Sequence, residues 1–193
     1  MKGVVFKGNC ELELADFPDP EPGAGEVVLE MKASGMCGSD LWFYRTPLPE
    51  VLNTLGFKSM AELGIEEGSG IIAGHEPVGV IAAIGSGVDT SHFKLGDRVM
   101  VFHYDGCHVC DHCRSGWSQM CDRGAIIYGA TRHGGHAHYM KAPASTLIHL
   151  PHELSYATGA AIACGTGTAY GALVRLGLSG RDTLAVFGLG PVG

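Results

Sequence analysis

Four cysteines, Cys107, Cys110, Cys113 and Cys121, fall within one run, CHVCDHCRSGWSQMC, with gaps of two, two and seven residues. The two-residue gaps let neighbouring thiolates converge on one ion, and the longer gap brings the fourth round to close a tetrahedron. Zn²⁺ favours that arrangement, and a four-cysteine shell leaves no position for a substrate, so the expected site is structural. Two disulfides would use the same residues but need an oxidising compartment. The N-terminal MKGVVFKGNC has no apolar h-region or cleavage signal, which points to the cytoplasm. An Fe–S cluster fits less well, because the run lacks the wider spacing or trailing proline of ferredoxin-type sequences.

A second set of candidate ligands is dispersed. Cys37, the pair His75-Glu76, and Cys164 each sit in a glycine-flanked segment: GMCGSD, GHEP and ACGTG. Glycine permits the tight turns needed where several loops meet around an ion. Mixed S/N/O donors suit Zn²⁺, and three protein ligands with an open fourth position make a catalytic site. Spacing alone does not join these residues, since a buried cysteine also serves as a small apolar side chain.

A third feature lies at the C-terminus. Asp182–Phe187 reads as a buried strand running into GLGPVG, a G-x-G-x-x-G formed by Gly188, Gly190 and Gly193. This is half of a dinucleotide-binding fingerprint. The other half is a helix N-terminus for the phosphates and neighbouring strands reached by crossovers, so the chain is expected to be the front portion of a longer protein. A plain glycine-rich tail is the alternative.

Positioning these residues requires many short elements. Residues 1–150 read as mostly β, with strands at Met1–Phe6, Glu26–Ala33, Glu76–Ile84, Asp97–Phe102 and Gly135–Ala142 between glycine- and proline-rich turns, a pattern expected of a compact barrel-like domain. Residues 44–73 carry weak helical periodicity in VLNTLGFKSMAEL and then GIEEGSG, and are expected to form either a pocket wall or lid, or a surface insertion. Ser155–Leu176 suits one or two helices capped by Ser155.

Composition narrows the function. The chain has 193 residues, 46% hydrophobic and 17% charged, with a net charge of −7. That is globular, with no broad field for nucleic acid or acidic lipid. No apolar run reaches the ~18 residues of a membrane span.

Taken in order, PEPGAGEVVLEMKASGMCGSD, GHEPVGVIAAIGSGV, KLGDRVMVF, the four-cysteine run, GGHAHYM and ACGTGTAYGAL leading to VFGLGPVG resemble the zinc-dependent alcohol dehydrogenases of the medium-chain dehydrogenase/reductase superfamily. The resemblance implies a mostly β GroES-like barrel domain with a few helices over 1–150, including a structural-zinc lobe near 103–123. Residues 151–193 would begin an incomplete α/β Rossmann domain. It implies two zinc ions per chain. Cys37, His75 and Cys164 would hold the catalytic one, with Glu76 beside them as a resting-state or exchangeable ligand, and Cys107, Cys110, Cys113 and Cys121 the structural one. Asp40 would orient His75, and Ser39 would take the alcohol's proton. NAD or NADP would accept hydride in the complete protein, with an alcohol or carbonyl as substrate and a homo-oligomer as the assembly.

Two departures stand out. Many relatives place a proton-relaying histidine two residues after the Ser/Thr-Asp pair, and here that position is Trp42. Indole cannot relay a proton, so water or another residue such as His103 would replace it, and Trp42 with Phe43 would line the pocket or pack in the core. The Cys37–His75 gap is also long, and Cys164 separates the chain from polyol-type relatives with a carboxylate at that ligand position. The competing reading is a zinc-stabilised, non-catalytic binding module.

Overall fold

Val27, Val28 and Leu29 are buried on both faces of the longest strand, β3 (Glu26–Gly35), which fits an interior strand of the sheet. The computed structural model describes residues 1–66, 69–190 and 192–193. Glu67 and Gly68 of GIEEGSG and Pro191 of the glycine motif lie outside the described residues. β3 pairs with β4 (Glu76–Ile84) and β8 (Tyr139–Pro143), while β4 pairs with β5 (Arg98–Val101) and β5 with β9 (Leu147–His149). The order is β8-β3-β4-β5-β9, antiparallel throughout. Irregularities at Val28/Leu29 and Met31/Ala33 interrupt the β3–β4 register and increase local twist.

β1 (Lys2–Gly8) and β2 (Glu11–Asp16) form a hairpin whose turn residues Asn9 and Cys10 both adopt positive φ, the conformation that matches strand twist. The hairpin meets the other extended segments through single bridges, Gly3–Ala137 and Val5–Ile72. It also packs on α1 (Gly38–Arg45), where the Asn9 and Cys10 N–H groups donate to the carbonyls of Arg45 and Tyr44. The ladder therefore ends at β8 and β9, and among the described residues no continuous pairing closes the barrel expected from sequence. Short β6 (Tyr104–Asp105) and β7 (Ile126–Ile127) pair at the base of the cysteine lobe.

Val27, Leu29, Ile81, Val99, Val101 and Met140 form the main core. Leu29 is fully buried, so Leu29→Ala is expected to cost about 2–5 kcal/mol by lost transfer energy and cavity formation. Urea unfolding should show this as a lower midpoint at unchanged slope.

Helices α1 (Gly38–Arg45) and α2 (Leu48–Thr54) follow β3. A 3₁₀ turn at Met60–Leu63 follows α2, and Leu52, Met60 and Leu63 share a small core with Phe57, Ile65 and Ile71. The described residues of 44–73 thus pack as a wall, tied further by Arg132 Nη1 donating to the Leu63 carbonyl at 2.9 Å. A short α3 (Asp111–Arg114) lies in the cysteine lobe. The Ser155 hydroxyl accepts from Thr158 N–H at 3.1 Å and caps α4 (Tyr156–Ala161), which packs by Ala160 on Val78, Met100 and Leu150. A π-turn at Ile162–Thr166 joins it to α5 (Gly167–Arg175).

Two expectations change. Gly135–Ala142 becomes a strand only from Tyr139, because the amides of Gly134, Gly135 and His136 donate instead to the carbonyls of Ile72, Gly74 and Ala73. Residues 182–187 form no strand and are exposed, Phe187 at 96%. A buried strand takes its hydrogen bonds and its cover from neighbours, and this apolar run has no pairing partner among the described residues.

Candidate metal centre and adjoining clefts

Cys37 ends β3's run and begins α1. Its Sγ accepts from the Ser39 N–H at 3.2 Å, while its own N–H donates to Asp40 Oδ2 at 2.9 Å. This reciprocal cap satisfies two amides at the helix start. Asp40 is fully buried, and its other oxygen, Oδ1, lies 3.0 Å from His75 Nδ1. One carboxylate thus fixes both a helix end and an imidazole.

His75 reaches the cluster at the mouth of β4 through Gly74, whose φ is +92° and where a Cβ would collide with His136 and Ser34. His75 Nε2 lies 2.8 Å from Cys37 Sγ. Cys164 comes from the π-turn, an irregularity frequent at functional sites. The donor atoms of Cys37, His75 and Cys164 lie within 4.8 Å of one another. Glu76 is outside that set: its carboxylate turns over Gly35, where a Cβ would strike it, and burial raises its pKa.

The cluster is electrostatically strained without a cation. The hydrogen bond from Cys164, helped by His75, holds the Cys37 thiol down to about 3. Cys164 is pushed up by that same bond and by burial. Burial works against charge on His75, but Asp40 and Cys37 outweigh it and raise the imidazole to about 10. Metal ligands bind deprotonated, so a divalent ion would displace protons from this set. Two sulfurs and one nitrogen are a donor set that zinc accepts. Asp40→Asn should lower zinc affinity here by about 10–100-fold, leaving the four-cysteine site unchanged in a chelator competition titration.

Ser39 is exposed at the start of α1. With Trp42, Phe43, Leu55, His75 and Tyr104 it lines a cleft of about 400 Å³. Trp42 is thus pocket wall as well as packing against Phe43, and Leu55 brings the 44–73 segment to the same cleft. His103 is buried, its ring 4.9 Å from that of His75, and burial followed by His75's charge lowers its pKa to about 4.

In the lobe, the sulfurs of Cys107, Cys110, Cys113 and Cys121 also lie within 4.8 Å of one another. Tetrahedral Zn–S bonds of about 2.3 Å imply S···S edges of roughly 3.8 Å, so one ion can be held by all four. The seven cysteines are free thiols. Val109 and Cys110 N–H groups hold Cys107 down to about 6, and Gly106 leaves room that a Cβ would take from Cys113.

Gly188, Gly190 and Gly193 are exposed, in a stretch with neither strand nor helix. Gly188 has φ +92°, and the Gly193 N–H donates to the Gly190 carbonyl at 3.1 Å. Tyr104 and Gln119 escaped the sequence reading; both line clefts beside the three-donor cluster or the lobe, and no motif marks either.

An antiparallel sheet whose loops gather a dispersed Cys-His-Cys set, with a four-cysteine lobe attached, defines a class of oxidoreductase domain. Residues 23–152 match the alcohol dehydrogenase GroES-like domain, and the chain belongs to that family, the N-terminal portion of zinc-type medium-chain alcohol dehydrogenases. Over 194 residues it is 42% identical to the uncharacterized zinc-type alcohol dehydrogenase-like protein YphC of Escherichia coli (strain K12), covering 100% of this chain and 52% of that protein. An alcohol dehydrogenase of Geobacillus stearothermophilus is 33% identical over 197 residues, 98% of this chain and 51% of the relative. The crystal structure of an NAD-dependent alcohol dehydrogenase aligns with TM-score 0.74 and 30% identity, covering 92% of this chain and 48% of that one. The chain thus spans about half the length of the curated relatives it matches. Among the described residues, no helix is long and apolar enough to cross a membrane.

Proposed function

We propose that residues 1–150, with the lobe near 103–123, are the zinc-holding catalytic portion of an NAD(P)-dependent alcohol dehydrogenase, and that 151–193 begin its dinucleotide-binding domain. The observation that carries this reading is the convergence of Cys37, His75 and Cys164 beside a cleft that Ser39 lines. A zinc ion held by those three residues supplies Lewis acidity toward an alcohol or carbonyl oxygen, and a nicotinamide supplies the hydride acceptor. The chain's own residues do the rest. Asp40 holds His75 with Nε2 toward the cluster. Trp42, Phe43 and Leu55 take the apolar part of the substrate and exclude water. The Ser39 hydroxyl takes the alcohol's proton and, being exposed, hands its own to water, which makes a histidine at position 42 unnecessary.

Cys107, Cys110, Cys113 and Cys121 would hold a second, structural zinc. Native mass spectrometry tests the reading: two zinc ions per chain are expected. A single ion, lost in Cys110→Ala, would leave a zinc-stabilised binding module in place of an enzyme.

A further inference from the structure

Two of the three donors at the metal centre belong to paired strands, Cys37 just past β3 and His75 at the head of β4, whereas Cys164 belongs to the helical run that starts at Tyr156. Cys164 lies about 12 Å along that run, at ~1.5 Å per residue. Metal–ligand distances tolerate errors of only about 0.2 Å, so the start of the helix must be fixed against the strands. Leu154, Tyr156 and Ala160 pack there with Val78, Met100 and Leu150. Apolar packing of this kind is non-directional.

A directional tie comes from Arg98, the first residue of β5. β5 pairs with β4 at Val80↔Arg98, Gly79↔Val99 and Val78↔Met100, so Arg98 stands on the ladder that leads to His75. Its Nη1 donates to the carbonyls of Pro151 at 3.3 Å and His152 at 3.1 Å, and its Nη2 to that of Leu154 at 2.6 Å. Its Cζ lies 4.4 Å over the ring of Tyr156, the first residue of α4, within range of a cation–π contact. One planar group thus grips the connection from β9 to α4 and the first residue of the helix, which the rigid fork of a guanidinium allows and an ammonium does not. The Arg98 Nε is buried without a hydrogen-bond partner among the described residues, and an unmet donor costs stability. That cost offsets part of what the clamp contributes to stability and leaves its directional constraint intact.

We propose that Arg98 is a positioning residue for Cys164: by tying residues 151–154 and Tyr156 to the β4–β5 ladder, it holds the third donor in place against Cys37 and His75. The inference rests on the proposed function, which puts a metal ion among those three. Arg98 acts through α4 and the turn that follows it.

The test loads the chain with zinc and follows each site by chelator competition. Arg98→Met is expected to weaken the three-donor site by about tenfold and to leave the four-cysteine site unchanged. With cobalt(II) in the three-donor site and zinc in the lobe, the thiolate-to-cobalt absorption should fall toward that of a single sulfur, a change that general loss of stability does not produce. Arg98→Lys keeps a cation that can reach one carbonyl and guards against a variant that fails to fold; its absorption should lie between the two. Native affinity and absorption in a folded variant would overturn the proposal, as would equal weakening of both sites. An unaltered chain that holds one zinc overturns the proposed function and this inference with it. Two zincs in the unaltered chain, with the sulfur absorption kept in the variants, overturn only the inference.

Discussion

Cys37→Ala is expected to leave one zinc per chain and, in the complete enzyme, to lower alcohol oxidation by about a thousandfold or more. Lewis-acid stabilisation is worth several kcal/mol, and each 1.36 kcal/mol is a factor of ten in rate. The fold should survive, because Cys37 lies beyond the end of β3 and its loss removes one helix cap, a cost of about 1 kcal/mol. Cys37→Ser separates the two effects. Its hydroxyl can still accept from the helix amides, while the soft sulfur donor is gone, so stability should recover and turnover should not. Full activity with two zincs retained in Cys37→Ala would remove the basis for the catalytic assignment.

Cys110→Ala has the opposite signature. The lobe has little else to hold it: α3 is four residues long, β6 and β7 pair over two residues each, and none of the three is buried. Ion binding there is folding energy, and in zinc-finger peptides it reaches about 10–16 kcal/mol. Loss of the ion should therefore expose residues 103–123 to proteolysis and amide exchange while the sheet core stays protected. A strong chelator should reproduce the effect in the unaltered chain. Unchanged protease resistance and zinc content in Cys110→Ala would refute the structural assignment.

Legibility in the sequence followed locality. The four cysteines could be joined from spacing because their sulfurs meet within one short run. β4 was read with its observed bounds, since EPVGVIAAI is an apolar stretch fenced by His75 and Gly85. β2 was missed although ELELAD alternates, because Leu12 and Leu14 are each 59% exposed and the alternation reports no buried face. Asp182–Phe187 failed in the other direction: strand-like composition cannot supply the strand's neighbours. Cys37, His75 and Cys164 meet only in three dimensions, and family resemblance joined them where spacing could not. Asp40 was legible in part. Its bond to His75 spans 35 residues and was expected only through the family resemblance, while its cap on the Cys37 N–H went unread. Gln119 carries no signal in the sequence, because what marks it is an Oε1 buried without a hydrogen-bond partner among the described residues.

The π-turn that carries Cys164 gives the cluster a mechanical asymmetry. Cys37 and His75 are anchored at strand ends and locked together by Asp40, whereas Cys164 rides in an unbroken helical run from Tyr156 to Arg175. The first turns of that run are gripped by the sheet, and the later ones present Tyr170, Leu173 and Val174 outward. The widened turn at Ile162–Thr166 is what sets Cys164 against the other two donors. The bite of the ligand set therefore rests on one turn's backbone geometry on one side and on a carboxylate-braced pair on the other.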